Sequence, residues 1–322
     1  MALWYEKYSR KIYSTSCCKW RCSRKFFSEF LGMFAFIFIA DGTVATAIFY
    51  TPEPTDASSE ILYINVGIAF GYTIGLYICR ENVGYLNAAL TLVFWLLGKM
   101  KLNDVIIYLI AQFIGACLAE AFIFGLYRDE IEQSTSNETI LIFASSVNDG
   151  YFGRAAIDQF LKTVFFTIGV MAVIDEGKNK QENDPLKTIK PSKRFEPLII
   201  GLVLFSVGIA LSFFARFYFN PLQDLSGLIF VEFAELSKEK WWGFAQAFCP
   251  ILGALVGATI YILSIENYHQ MTAESRSEGA GSYDPLDQDN PSDAELIAQL
   301  HSVNIGSEIQ ISKYKLTSVS LA

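Results

Sequence analysis

Two asparagines are the residues of this 322-residue chain whose type and placement could do chemistry: Asn87 in LNAALT (86–91) and Asn220 in FNPLQD (219–224). A carboxamide offers two N–H donors and an acceptor oxygen, and Asn is also a good helix N-cap. Followed by Ala88-Ala89 in one case and Pro221-Leu222 in the other, each Asn reads as a helix start, since Pro is at home in the first helical position. A helix start exposes unpaired N–H groups and the positive end of the helix dipole. The chemistry implied is hydrogen bonding to a polar group, not bond making. No nucleophile–base set, phosphate loop or metal-ligand spacing is evident, and the only two His (His269, His301) lie in the C-terminal tail. Neither a cofactor nor a metal is expected, and an enzyme is not.

The surroundings of these two starts are apolar. Of all residues 52% are hydrophobic and 15% aromatic, and 18% are charged where a soluble domain carries about a quarter. Segments 61–79, 197–215 and 244–264 contain no Asp, Glu, Lys or Arg. At roughly 1.5 Å per residue each matches a hydrocarbon core of about 30 Å. Segments 26–49, 104–127 and 158–175 are similar with isolated charges, which makes six predicted spans. Two apolar stretches remain, 86–98 and 219–233, both too short to cross. They read as half-helices that start inside the membrane, where irregular backbone is tolerated only if it lines an aqueous cavity or is buried in protein.

Charge placement orients the spans. Residues 1–25 hold seven Lys/Arg and 177–196 hold six, whereas 50–60 and 129–153 hold none. The positive-inside rule therefore places both termini and the 177–196 loop in the cytoplasm. The sequon at Asn137 then falls in the external loop, where glycosylation is chemically open. The basic N-terminus serves as a topology signal beside anionic lipid, so nucleic acid is not an expected partner. Cys17, Cys18 and Cys22 precede the first span at a distance that suits S-palmitoylation, with plain reduced thiols the simpler reading. YDPL (283–286) has the form of a tyrosine-based sorting signal, a common tetrapeptide.

The two halves share one plan: span, span, half-helix, span. Glu29 lies early in the first span and Gln159 early in the fourth, each upstream of its half-helix Asn by a similar interval. Three spans per half force opposite orientations, so the expected fold is an all-α membrane protein of six transmembrane helices plus two re-entrant half-helices in an inverted repeat. Such folds place their functional site at the midplane between the repeats. The two half-helices would meet N-terminus to N-terminus at Asn87 and Asn220. The expected organisation is a basic cytoplasmic N-terminus (1–25), a channel domain (26–265) and a polar, disordered cytoplasmic tail (266–322). The channel domain comprises repeats 26–128 and 157–265 around an external loop, 129–156.

SEFLGMFAFIFIADGTVA, GYLNAALTLVFWLLGK, IAQFIGACLAEA and CPILGALVGATIY resemble the first span, first box, third span and sixth span of the major intrinsic protein family, the aquaporins and aquaglyceroporins. The resemblance covers about residues 26–265. Both Asn-Pro-Ala boxes depart from the family form, as Asn87-Ala88-Ala89 and Asn220-Pro221-Leu222. Tyr85 stands for the usual His and Gln159 for the fourth-span Glu. Asp224 and MAVIDEGK (171–178) resemble the glycerol-conducting branch. Spacing from Asn220 carries the family's selectivity filter onto Gly208 and Phe217, residue types that glycerol channels use, and onto Val66 or Gly67 in the second span. The fourth filter position, normally Arg, is Gln223.

Gln223 is one turn beyond Asn220 and on the same face, so it is expected to point into the pore. Either loss of a fixed cation there weakens the barrier to cations and protons and widens the constriction, or Gln223 simply hydrogen-bonds loop carbonyls while the meeting helix dipoles still exclude cations. Leu222 either narrows the pore or packs behind it. Asp41 in mid-span is expected to face the pore or pack against a neighbouring helix rather than meet lipid. Lys162 can snorkel toward the membrane surface and needs no function.

The function these features imply is a passive channel for water and small uncharged solutes such as glycerol. It would sit as a homotetramer in a lipid bilayer, plasma membrane or intracellular. The alternatives are a non-conducting adhesion or scaffold member, or an ion-conducting derivative.

Overall fold

The computed structural model describes residues 17–50, 57–79, 84–134, 139–144, 152–176, 193–211, 219–234 and 242–266. All belong to one compact unit, which ends at Glu266. Its helices are α1 (Cys17–Tyr50), α2 (Ala57–Cys79), α3 (Ala88–Leu96), α4 (Leu102–Leu126), α5 (Arg128–Gln133), α6 (Ile140–Phe143), α7 (Phe152–Glu176), α8 (Glu196–Ala210), α9 (Pro221–Phe233) and α10 (Trp242–Tyr261). A π-helical turn, Ile262–Glu266, continues α10.

Among the described residues five stretches are long and apolar enough to cross a membrane: Arg24–Tyr50, Ser58–Cys79, Leu102–Leu126, Gly153–Ile174 and Phe248–Glu266. The remaining predicted span, 197–215, is α8, a 15-residue helix whose last expected residues lie outside the described ones. The two predicted half-helices are α3 and α9, of 9 and 13 residues. At about 1.5 Å per residue neither could cross a bilayer.

The end of α3 is written in its sequence. Gly98 adopts φ +69°, its N–H donates to Trp95 O at 2.8 Å, and Lys99 N–H donates to Phe94 O at 2.9 Å. This is a Schellman closure, which needs a left-handed residue and so favours Gly.

Helices that share an apolar solvent gain little from burying Leu against Leu, so they associate where small residues let backbones approach. A Cβ on Gly32 would lie 2.8 Å from Gly75 O, and one on Gly75 would lie 2.6 Å from Gly32 O. At this point α1 and α2 cross. On its other side α1 meets α4, where a Cβ on Gly115 would come within 2.7 Å of Phe30 O. The second repeat makes the same contact: Gly253 of α10 abuts Phe160 O of α7. Phe30 directly follows Glu29 and Phe160 directly follows Gln159, so the repeat inferred from spacing recurs in the packing.

Part of the 129–156 segment also packs inward. Phe143 of α6 is fully buried, with its ring 4.9 Å from Phe230 of α9. Tyr50 donates its hydroxyl proton to Glu130, which holds that carboxyl below its ordinary titration range.

Two intramembrane charges take positions set by this packing. Asp41 is 1% exposed and lies within the bundle. Lys162 does not snorkel. It is fully buried, and its Nζ lies 3.0 Å from Asp158 Oδ2, one turn earlier on α7. The reason is the helix face it occupies. Phe166, one turn further on, packs inward against Tyr72 and Phe219, at centroid distances of 5.7 and 5.3 Å. Breaking a buried pair strands the remaining charge, so Lys162→Met alone should cost about 3–5 kcal/mol of stability. Lys162→Met combined with Asp158→Leu should recover most of that loss. Thermal unfolding of the purified protein checks both, and a single variant no less stable than the double would contradict this burial.

Candidate functional site

The site is built where α3 and α9 begin. Asn87 is extended, at φ −150° and ψ 120°, and Asn220 at φ −121° and ψ 112°; each is followed directly by helix. Both are nearly fully buried. Asn87 caps its own helix, its Oδ1 accepting from Ala89 N–H at 2.9 Å and Leu90 N–H at 3.4 Å. Its Nδ2 donates to Phe219 O at 3.4 Å. In return, Asn220 Nδ2 donates to Leu86 O at 2.8 Å, and Asn220 Oδ1 accepts from Ala88 N–H at 3.1 Å. The two half-helices therefore meet N-terminus to N-terminus, joined through carboxamide-to-backbone bonds.

Glu29 of α1 anchors the first of these tips. Its Oε1 accepts from Leu86 N–H at 2.8 Å, Tyr85 N–H at 3.2 Å and Gln112 Nε2 at 2.7 Å. Gln112 also donates to Thr91 Oγ1 at 3.1 Å, and Thr91 in turn donates to Asn87 O at 3.0 Å. Leu86 holds a left-handed φ of +47°, rare for a bulky residue. In that conformation its N–H serves Glu29 while its C=O serves Asn220. Tyr72 adds a hydroxyl bond to Tyr85 O at 2.7 Å.

An aromatic wall encloses this junction. Phe36 meets Tyr72 edge-on at 5.0 Å, Tyr72 meets Phe166 at 5.7 Å, and Phe166 meets Phe219 at 5.3 Å. Sequence reasoning passed over these residues, although a signal existed. Phe36 follows Glu29, and Phe166 follows Gln159, by two helical turns, so each shares the face of its polar anchor.

The remaining sequence-derived candidates distribute as follows. Ala88, Ala89 and Pro221 form the first turns of α3 and α9 and are buried, whereas Leu222 is half-buried. Gly208 of α8 faces α2, where a side chain would collide with Asn65 Oδ1. Gly67 instead faces α1, against the side chain of Thr43, and Val66 is half-buried. The α2 residue opposite Gly208 is therefore Asn65, which spacing did not single out. Its Nδ2 donates to Ile61 O at 2.8 Å, so its carbonyl oxygen is the end turned toward Gly208. Phe217 and Asn137 lie outside the described residues.

Gln223 is 2% exposed, and its Nε2 has no hydrogen-bond partner among the described residues. Asp224 beside it is 1% exposed. Glu120 of α4 accepts from Ser226 of α9 at 2.7 Å, and the same hydroxyl lies 3.0 Å from Gln223 O. Among the described residues no three of His, Cys, Asp and Glu converge as metal ligands.

The comparisons with known proteins agree with this architecture. The family model described as major intrinsic protein matches residues 16–261. The chain is 28% identical over 260 residues to Aquaporin-9 of Homo sapiens, covering 75% of this chain and 82% of that protein. It is 26% identical over 304 residues to Aquaporin-10 of Milnesium tardigradum, covering 86% and 70%. The X-ray structure of the aquaglyceroporin from Plasmodium falciparum matches with a TM-score of 0.63 at 22% identity, over 76% of this chain and 97% of that one. A family match over most of the length, on a fold of two half-helices joined through their asparagines, means that this chain belongs to the major intrinsic protein family.

Proposed function

We propose that this multi-pass membrane protein is a passive channel for water and small uncharged solutes such as glycerol, with its selectivity altered by Gln223 at the filter position. Members of its family are channels and not enzymes, and relatives named aquaporin and aquaglyceroporin support the two solutes. The observation that carries the reading is the junction of α3 and α9. Each carboxamide commits one N–H to a carbonyl of the opposite tip, leaving its second N–H for a solute oxygen. The wall of Phe36, Tyr72, Phe166 and Phe219 is apolar except for the Tyr72 hydroxyl, whose proton is committed to Tyr85 O, which suits single-file passage. The paired positive helix ends oppose cations at the same depth.

The filter reading extends to Gly208, Phe217, Gln223 and, in place of Val66 or Gly67, Asn65. With Gly208 lacking a side chain, the Asn65 carbonyl oxygen and the Gln223 amide supply complementary neutral groups where the family commonly uses a cation. A neutral acceptor and donor favour hydroxyl-bearing solutes and relax discrimination among them. The proposal also includes four subunits, each with its own pore, a plasma-membrane location with both termini cytoplasmic, and glycosylation at Asn137. The apolar residues exposed on the outer helix faces, such as Phe70, Phe122 and Leu252, suit contact with lipid or neighbouring subunits.

Proteoliposome swelling tests the channel reading. Reconstituted protein should accelerate both water and glycerol flux over empty vesicles, and no gain for either would sink it. Gln223→Arg tests the filter reading. A guanidinium narrows the constriction, so the glycerol-to-water permeability ratio should fall about threefold, roughly 0.7 kcal/mol of barrier. A ratio that stays level or rises removes Gln223 from the filter.

A further inference from the structure

The two asparagines are related by the repeat, yet they bond differently. Each donates from Nδ2 to a carbonyl of the opposite tip, Leu86 O for Asn220 and Phe219 O for Asn87. Only Asn220 completes the bridge with its oxygen, which accepts from Ala88 N–H at 3.1 Å and makes no cap on its own helix. Asn87 Oδ1 turns back to Ala89 and Leu90. The difference follows from one covalent fact. The residue that Asn87 would need across the junction is Pro221, which has no N–H, whereas its counterpart in the first box is Ala88. Ala88 N–H is also an orphan donor of the first helical turn, so without Asn220 it would stand unpaired in a buried site.

We infer that Ala88 is a positioning residue: its backbone N–H, which a proline there could not supply, latches the Asn220 carboxamide across the half-helix junction. The first-box departure from Asn-Pro-Ala is then a functional exchange. It converts Asn220 from a cap on α9 into a two-bond bridge to the Leu86–Ala88 backbone, and it fixes the direction of the N–H that remains for solute. The inference rests on the junction being the conducting path, a reading that wild-type flux tests separately.

The backbone already accepts proline. Asn87 is extended, as a residue before proline prefers, and Ala88 is the first residue of α3. Ala88→Pro therefore removes the N–H with little backbone strain, and Ala88→Val supplies comparable added bulk with the N–H retained. In proteoliposomes at matched protein, Ala88→Pro should lower water permeability roughly two- to tenfold, the population change that one net hydrogen bond produces. Ala88→Val should lower it less. Amide hydrogen exchange supplies a readout independent of flux: the Ala88 amide should be protected in wild type and exchange roughly two- to tenfold faster in Asn220→Ala, again the scale of one net bond. Three results would each overturn the latch: Ala88→Pro conducting like wild type, Ala88→Val matching Ala88→Pro, or Ala88 exchange indifferent to Asn220→Ala.

Discussion

Backbone groups at the start of a helix inside a membrane must be satisfied by protein or by water in a cavity, because lipid offers no hydrogen-bond partner. The junction of α3 and α9 answers that requirement. The tips of α3 and α9 bring several such groups together, and an unpaired buried group costs about 1–3 kcal/mol. One carboxylate and two carboxamides meet most of the demand around the first tip. Glu29 takes two backbone N–H groups of the Tyr85–Leu86 segment, Asn87 takes those of Ala89 and Leu90, and Asn220 takes that of Ala88. The positive φ of Leu86 is part of this solution, since it lets one residue serve Glu29 and Asn220 at once.

Packing follows from the same constraint. To reach the tips, Glu29 and Gln112 must project from adjacent helices at one depth, which requires α1 and α4 to lie close together. Gly115 against Phe30 O permits that approach, and Gly253 against Phe160 O repeats it in the second half. The buried Asp158–Lys162 pair occupies the inner face of α7 in that half. A cation and its counter-ion are tolerable there only because they are packed together inside protein.

Much of this was legible in the sequence because it depends on local rules. Span length follows from bilayer thickness, the half-helices from Asn-Ala and Asn-Pro starts too near the next polar segment, and the end of α3 from Gly98. What resisted reading depends on which helix face meets which neighbour. Lys162 looked like a snorkelling side chain because its distance along the span is visible while its face is not. Asn65 was passed over because the spacing of the second span pointed to Val66 or Gly67, and the contact of Gly208 with Asn65 exists only in three dimensions. The bridge from Ala88 to Asn220 joins residues far apart in the chain. In the sequence, Ala88 showed only as a departure from the family's Asn-Pro-Ala form.

We infer that the Glu29 carboxylate, which accepts from Tyr85 and Leu86 N–H, holds the first half-helix tip, and with it the Asn87–Asn220 junction, in conducting geometry. Its most direct test is the water permeability of Glu29→Ala in proteoliposomes, with membrane insertion confirmed by the recovery of folded protein. Three donors lose their acceptor in that variant, a cost of about 3 kcal/mol or more borne at the junction. Inserted Glu29→Ala should show the water flux of empty vesicles. Inserted Glu29→Ala that conducts like wild type would contradict it.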